Sequence, residues 1–318
     1  MPIVYHAKVP GSCMVLGEYA VLENYPAIVA GVDRMLEVTL MARDDHHIHI
    51  KSHLGEVFCE KTRFPAEPPF QFLAAVIRAT APAHGFTLTI TAHFSETVGL
   101  GSSAAVTVGA LACLWRYEQR IFTPKELLIA ARAIIRTVQG CGSGADVAAS
   151  VYGGLLVYHP QTVRVERLYL NVPLHLIYVG YKTPTPIAIQ KVATTFTDDQ
   201  PILTQLLRHI NTCTKQAIIN IRKNDLVKLG ELMMAQQLLL ILLGVSDELI
   251  MTLLGILFKM PGIYGAKISG SGLGDCLLAI GELPPHTFPQ NEEQALQGVI
   301  QIDIALSSHG LELSEWAA

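Results

Sequence analysis

The sequence predicts an α+β protein, and three patterns carry that prediction. Period-two stretches near the start of the chain, such as Ile3 to Val9, indicate strands that pair as hairpins. Phe86 to Phe94 has the same period and precedes a glycine turn and an apolar helix over Ala104 to Trp115. Long helical patterns over about 199–259 precede two more strands near the C-terminus. Strands and helices therefore occupy separate stretches of the chain.

Length and composition limit the function classes. With 318 residues the chain is long enough for two domains, which we place at 1–170 and 171–318. A net charge of -4 without a basic stripe argues against a nucleic-acid partner and favours a small molecule. Six scattered cysteines and the lack of a secretory leader predict a cytoplasmic protein. The apolar run Leu238 to Val245 is too short to span a membrane, and we interpret it as a packed helix end that can contribute to a homodimer.

The glycine turn is the strongest local candidate for a ligand site. Gly99 and Gly101 permit close backbone approach, and the amides that follow open a helix whose positive end attracts phosphate. Ser102 and Ser103 add hydroxyls for a phosphate oxygen or Mg²⁺. A serine-capped helix with packing glycines would produce the same pattern. The stretch lacks the Gly-Lys-Ser/Thr of a Walker A loop.

Two other stretches narrow the choice. Pro10 to Leu22 reads PGSCMVLGEYAVL, and Lys267 to Cys276 reads KISGSGLGDC. Together with the glycine turn, their order and spacing resemble the GHMP kinases, within the branch of mevalonate and phosphomevalonate kinases. The resemblance covers essentially the whole chain. It implies an N-terminal domain like domain 2 of ribosomal protein S5, a ferredoxin-like C-terminal domain, and ATP and substrate between them.

The resemblance also implies roles for individual residues. Asp146, which opens a short helix after a Gly-Ser-Gly turn, would be the general base, although an aspartate there can also be a plain helix cap. Ser103 would ligate Mg²⁺. The ATP phosphates would contact Gly99, Leu100, Gly101, Ser102, Ser103 and Ala104. The acceptor would contact Glu18, Tyr19, Ser143, Gly144, Tyr181, Gly270, Ser271 and Gly272.

The chain departs from the family pattern at two places. Ser12 stands where kinases of this branch usually have a lysine beside the transferred phosphoryl group, and the third motif reads Gly-Leu-Gly-Asp where mevalonate kinases usually have a glycine run. Ile135 stands where mevalonate kinases usually have a glutamate that helps hold Mg²⁺, which favours a phosphomevalonate kinase. Another lysine can replace the missing cation, with Lys8 and Lys182 as candidates and Lys182 preferred. We therefore predict a catalytic set of Asp146, Lys182 and Ser12.

The motifs divide on the acceptor. Gly180 to Thr183 and the Gly-Asp-Cys end of the third motif resemble phosphomevalonate kinases, whereas the chain length and the run Gln236 to Leu239 resemble mevalonate kinases. We predict an ATP- and Mg²⁺-dependent phosphomevalonate kinase of isoprenoid biosynthesis, with mevalonate kinase as the alternative. A regulator that binds nucleotide or metabolite without turnover is the alternative from another class, because the usual lysine is missing.

Overall fold

The computed structural model describes residues 3–95 and 98–317. In the first half of the chain, long strands are followed by a group of helices, and two single-turn 3₁₀ helices lie at Ala20–Glu23 and Lys61–Arg63. The strands and helices of this half, in chain order, are β1 Ile3–Leu16, β2 Ala27–Ala42, β3 His47–Ser52, β4 Gly55–Glu60, α1 Gln71–Thr80, β5 Phe86–Ala92, α2 Ser102–Tyr117, α3 Pro124–Gln139, α4 Ala145–Tyr152, β6 Leu155–His159 and β7 Arg164–Leu168.

The second half is richer in helices. Its elements are β8 Leu174–Tyr178, α5 Thr185–Thr195, α6 Gln200–Arg222, α7 Leu226–Leu242, α8 Glu248–Leu257, β9 Ile263–Ser269, β10 Cys276–Gly281, α9 Glu292–Leu296, β11 Ile300–Ile304 and β12 Glu312–Ala317. The three long helices fall where the sequence predicts them. None of the described helices is both long and apolar enough to cross a bilayer.

The first sheet has the order β12-β1-β2-β5-β3-β4, with β6 paired to β2 and β7 paired to β6. Its pairings are antiparallel except β3 with β5. The second sheet, β11-β8-β10-β9, is antiparallel throughout. Because β12 pairs with β1, the end of the described chain returns to the first sheet. The division at residue 170 stays a prediction, and this return strand belongs with its first part.

Two local sequence patterns predict elements that the structure does not contain. The pattern over Leu296 to Ser307 predicts a helix, but α9 ends at Leu296, and β11 pairs with β8 because its isoleucines alternate at period two. The pattern over Val15 to Leu22 predicts a strand. Instead β1 ends at Leu16, where Gly17 adopts a φ of +102° and the chain turns into the first 3₁₀ helix. This turn carries Glu18 and Tyr19 away from the sheet.

An apolar core joins the two halves. Leu16 and Ile28 of the first sheet share a cluster with Leu176 and Leu278 of the second sheet and with Met233 of α7. Separate clusters lie beneath α1–α4 and among α5–α8. Because burying such side chains contributes about 1.5–3 kcal/mol each, the shared cluster holds the two sheets together. The elements that carry the sequence motifs therefore meet across a packed boundary.

Candidate active site

A cleft between the two halves collects the N-termini of three helices. Residues of the first turns of α2, α4 and α5 line it, among them Ser102, Asp146 and Thr185. Amides in a first turn lack intrahelical partners and carry the positive end of the helix dipole. The ends of α2 and α4 offer such amides and suit a multiply charged anion such as a polyphosphate, whereas Pro186 in the first turn of α5 has no N–H to donate.

The glycine turn before α2 forms one wall of this cleft. Gly101 is the N-cap of α2 with a φ of +66°, and no side chain caps the helix. A Cβ at this position would lie 2.0 Å from Ser12 Oγ, and one at Gly99 would lie 2.8 Å from Asp275 Oδ1. Both glycines are therefore required by space as well as by backbone conformation. The serine-cap interpretation of this turn is not supported, because the serines lie inside the helix.

Asp146 lies at the start of α4 and faces the glycine turn. Its Oδ1 accepts a hydrogen bond of 2.8 Å from Ser12 Oγ, which comes from β1, 134 positions away. Burial raises the pKa of the Asp146 carboxyl, although the Ser12 hydroxyl and the Lys182 ammonium oppose that effect. Ser12 itself is fully buried and does not line the cleft. Its geometry is that of a side chain that orients Asp146.

Lys182 enters the cleft from the loop after β8. Its Nζ lies 3.5 Å from Asp275 Oδ1, and its charge lowers the pKa values of both Asp275 and Asp146 against the larger effect of burial. Lys8, the other candidate, lies in the middle of β1 between its β12 and β2 partners and does not line the cleft. Lys182 is thus the candidate that the fold brings to Asp146.

A buried ion pair fixes the acidic residue at the end of the first motif. Lys267 Nζ donates a hydrogen bond to Glu18 Oε1, and the two side chains are 0% and 2% exposed. Gln236 Nε2 donates to the other oxygen of Glu18, and Gln236 Oε1 accepts from the Gly17 amide. Burial lowers the pKa of Lys267, and the Glu18 carboxylate opposes that shift. The network joins the turn after β1 to α7 and β9.

Most predicted site residues meet in this cleft. Those that line it are Glu18, Tyr19, Gly99, Gly101, Ser102, Ser103, Ala104, Ser143, Gly144, Asp146, Lys182, Gly270 and Ser271. Leu100 is buried beside the glycine turn, and Gly272 packs on Val245. Tyr181 was predicted to contact the acceptor, but its hydroxyl donates to Asp247 and its side chain does not line the cleft.

The sequence analysis did not assign roles to Lys267, Gln236 or Asp275. The lysine inside the apolar strand Ala266 to Ile268 could have indicated a buried ion pair, because a buried lysine needs an acidic partner. That partner, Glu18, is 249 positions away and lies beyond local pattern analysis.

Family models and a curated relative match this chain in both of its halves. The model for the GHMP kinases N terminal domain matches residues 70–154, and that for the GHMP kinases C terminal domain matches 217–297. Mevalonate kinase of Methanothermobacter thermautotrophicus is 30% identical over 86% of this chain and 89% of its own length. The chain belongs to the GHMP kinase family. It is therefore a kinase, with the two-domain fold of that family.

Similar proteins include both mevalonate kinases and phosphomevalonate kinases, the two kinds of kinase that the sequence motifs resemble. Seven further curated relatives, 24–27% identical, are mevalonate kinases as well. The mevalonate kinase structure from Methanococcus jannaschii has a TM-score of 0.75 at 18% identity, covering 95% of this chain and 98% of that one. Streptococcus pneumoniae phosphomevalonate kinase, in complex with phosphomevalonate and AMPPNP, has a TM-score of 0.76 at 18% identity, covering 94% and 99%. At such identities the structures support the fold alone.

The Lys267–Glu18 pair gives a first testable prediction, on stability. Lys267→Met leaves a buried carboxylate without its cation, so we expect it to lower the free energy of unfolding by about 3–5 kcal/mol. The double variant Glu18→Gln/Lys267→Met removes both charges and should recover much of this loss. Urea denaturation of the three proteins measures the difference. A single variant as stable as the original chain would contradict the assignment.

Proposed function

We propose that this GHMP kinase transfers the γ-phosphoryl group of ATP to the primary hydroxyl of mevalonate. The observation that carries the proposal is the buried Asp146 carboxylate, oriented by Ser12 and facing a wall of helix N-termini. A carboxylate in that position suits proton removal from a hydroxyl, and the helix ends suit a triphosphate. A protein that only binds nucleotide would have no use for such a base.

Positioning and charge stabilisation account for most of phosphoryl transfer. The amides at the starts of α2 and α4 would hold phosphate oxygens, and Lys182 would neutralise charge that develops on the transferred group. Ser102 and Ser103 place hydroxyl oxygens on the same wall. Hydroxyl and carboxylate oxygens are the hard ligands that Mg²⁺ prefers. When bound, Mg²⁺ would offset the charge of the phosphates.

Asp146 would carry the proton transfer. As the acceptor oxygen forms its bond to the γ-phosphorus, the bond from that phosphorus to ADP breaks, and the hydroxyl proton passes to Asp146. Ser12 donates to Oδ1, which leaves Oδ2 for the acceptor. A carboxyl with a raised pKa is a stronger base than an ordinary aspartate, so the burial that raises the pKa of Asp146 favours this step.

Mevalonate is better supported as the acceptor than phosphomevalonate, the acceptor that the sequence motifs predicted. The curated relatives compared above are mevalonate kinases, and they align over 86–98% of this chain. Near Glu18 the cleft wall is apolar, with Met14, Val21 and Leu22. Lys182 is paired with Asp275, and Tyr181 with Asp247. A second phosphate that lay against this wall would meet apolar side chains, whereas the donors Arg132, Ser143 and Ser271 line other parts of the cleft.

Steady-state kinetics with saturating MgATP test the acceptor. We expect kcat/KM for mevalonate to exceed that for phosphomevalonate by about 10² or more, because an added phosphate without partners is costly to desolvate. ADP release and the phosphorylated product are measured together, so that ATP hydrolysis is counted separately. A larger kcat/KM for phosphomevalonate would restore the original prediction, and nucleotide binding without turnover of either acceptor would favour a regulator.

A further inference from the structure

We propose that the Asp275 carboxylate, from the second half of the chain, is a ligand of the divalent cation that accompanies the nucleotide. This inference rests on the proposed function, because it assumes that a nucleoside triphosphate binds in the cleft. It assigns a residue of the Gly-Leu-Gly-Asp-Cys loop to metal binding, in a cleft to which α3 contributes Arg132, Ile135 and Gln139 but no carboxylate.

Three carboxylates line the cleft among the described residues, and Asp275 is the one with a free oxygen that the proposed reaction does not use. Glu18 has both oxygens occupied, by Lys267 and Gln236. Asp146 accepts from Ser12 through Oδ1 and has one oxygen left for the acceptor. Asp275 is only 6% exposed, and its Oδ1 accepts no hydrogen bond. The nearest cation, Lys182 Nζ, is 3.5 Å away, well beyond the usual 2.7–2.9 Å of a charge-assisted hydrogen bond.

The backbone holds this carboxylate against the phosphate wall. Asp275 has a φ of +63°, and its amide donates to Tyr181 O while its carbonyl accepts from Val179 N. These two hydrogen bonds fix the residue at the end of β8, across from the glycine turn. A Cβ on Gly99 would lie within 3.0 Å of the Asp275 carboxyl carbon, so the carboxylate is already in contact with the turn that precedes α2.

The charges require a further cation once phosphate enters. Asp146 and Asp275 carry two negative charges when ionised, and Lys182 supplies one positive charge near them. A triphosphate brought beside Asp275 would meet an anion that Lys182 only partly compensates. In a partly desolvated cleft such repulsion is stronger than in bulk water. A divalent cation between carboxylate and phosphate turns this repulsion into attraction, and both partners offer the oxygen ligands it prefers.

The test measures how strongly a divalent cation promotes nucleotide binding. The affinity of AMPPNP is determined by calorimetry in EDTA and in saturating Mg²⁺, without an acceptor, for the original chain and for Asp275→Asn. We expect the Mg²⁺-dependent gain in affinity to fall by about 10-fold or more in the variant. In EDTA the variant should bind AMPPNP at least as tightly as the original chain, because a nearby negative charge has been removed.

The opposite signs of these two effects separate metal binding from damage to the fold, which would weaken both measurements. Asp225→Asn is the matched control: it removes the same charge at the N-cap of α7, away from the cleft, and asparagine also caps helices. This control should leave both affinities unchanged. An unaltered Mg²⁺-dependent gain in Asp275→Asn would overturn the proposal and leave Asp275 as the partner of Lys182 only.

A second variant tests coordination directly. Asp275→Cys replaces a hard oxygen ligand with a soft sulfur ligand, so the preference of the nucleotide complex for Cd²⁺ over Mg²⁺ should rise by about 10-fold or more relative to the original chain. An unchanged preference would also contradict direct ligation. Neither measurement includes mevalonate. Failure of the acceptor kinetics with metal-dependent AMPPNP binding intact would therefore disprove the proposed acceptor alone. Lack of AMPPNP binding by the original chain would disprove the proposed ATP site in this cleft.

Discussion

Asp146→Asn is expected to lower kcat by about 10²- to 10⁴-fold, the usual loss when a general base is removed. The amide keeps the shape of the side chain and can remain beside Ser12, 2.8 Å away in the original chain. It cannot accept the acceptor's proton at neutral pH. Nucleotide contacts come from other groups, so the Kd of AMPPNP should change little. Single-turnover kinetics and calorimetry on the same preparation measure the two effects.

The pH profile provides the control for this variant. Burial raises the pKa of Asp146, and the base acts only when ionised, so kcat/KM of the original chain should fall as pH falls through that raised pKa. Asp146→Asn should lack this acidic limb. Ser12→Ala, which keeps the carboxylate but loses its hydrogen-bond donor, should shift the limb to higher pH. An unchanged rate in Asp146→Asn would remove Asp146 from the mechanism.

Lys182→Ala should lower kcat by about 10²- to 10³-fold, the size of effect seen when one donor to a developing negative charge is removed. Lys182 is the lysine that lines the cleft among the described residues, and the first motif offers Ser12 in place of a cation. Lys8→Ala is the matched control, since Lys8 lies within the first sheet. Its kcat should stay within about 2-fold of the original value, because a partly exposed charge away from the cleft contributes little.

Two results would contradict this role of Lys182. One is an equal loss of rate in both lysine variants. The other is a ligand-bound structure in which Lys182 Nζ lies far outside contact range of the γ-phosphate. Lys182→Arg separates charge from shape: a cation without the compact ammonium should recover part of kcat if charge neutralisation is the main effect.

Local sequence patterns were sufficient to predict those parts of the site that come from a single short segment of the chain. The turn at Gly99 and Gly101 followed by α2, and Asp146 at the start of α4, are both determined within about ten residues. Hence strand, turn and helix signals located them. By contrast, the Ser12–Asp146 hydrogen bond and the Lys267–Glu18 ion pair join residues 134 and 249 positions apart. Such pairs depend on the packing of two sheets, which no local period encodes.

Tertiary pairing also explains the misplaced elements. The stretch around Ile300 has apolar residues that fit either a short helix or a strand, and the open edge of β8 favoured the strand. Tyr181 lies in a loop beside Lys182, yet the two side chains diverge, because Asp247 at the N-cap of α8 engages the tyrosine hydroxyl. Adjacent residues in a loop need not share a site. The sequence showed their proximity to the cleft but not their orientation.

The pairing of β12 with β1 has a consequence for synthesis. β1 leaves the ribosome before its partner, Glu312–Ala317, which emerges about 300 residues later. At 5–20 residues per second, one edge of β1 stays without its partner for roughly 15–60 s. An unpaired edge is a template for pairing with another chain. The speed of translation therefore sets how long each nascent chain is exposed to this kind of mispairing, and slower elongation lengthens that exposure.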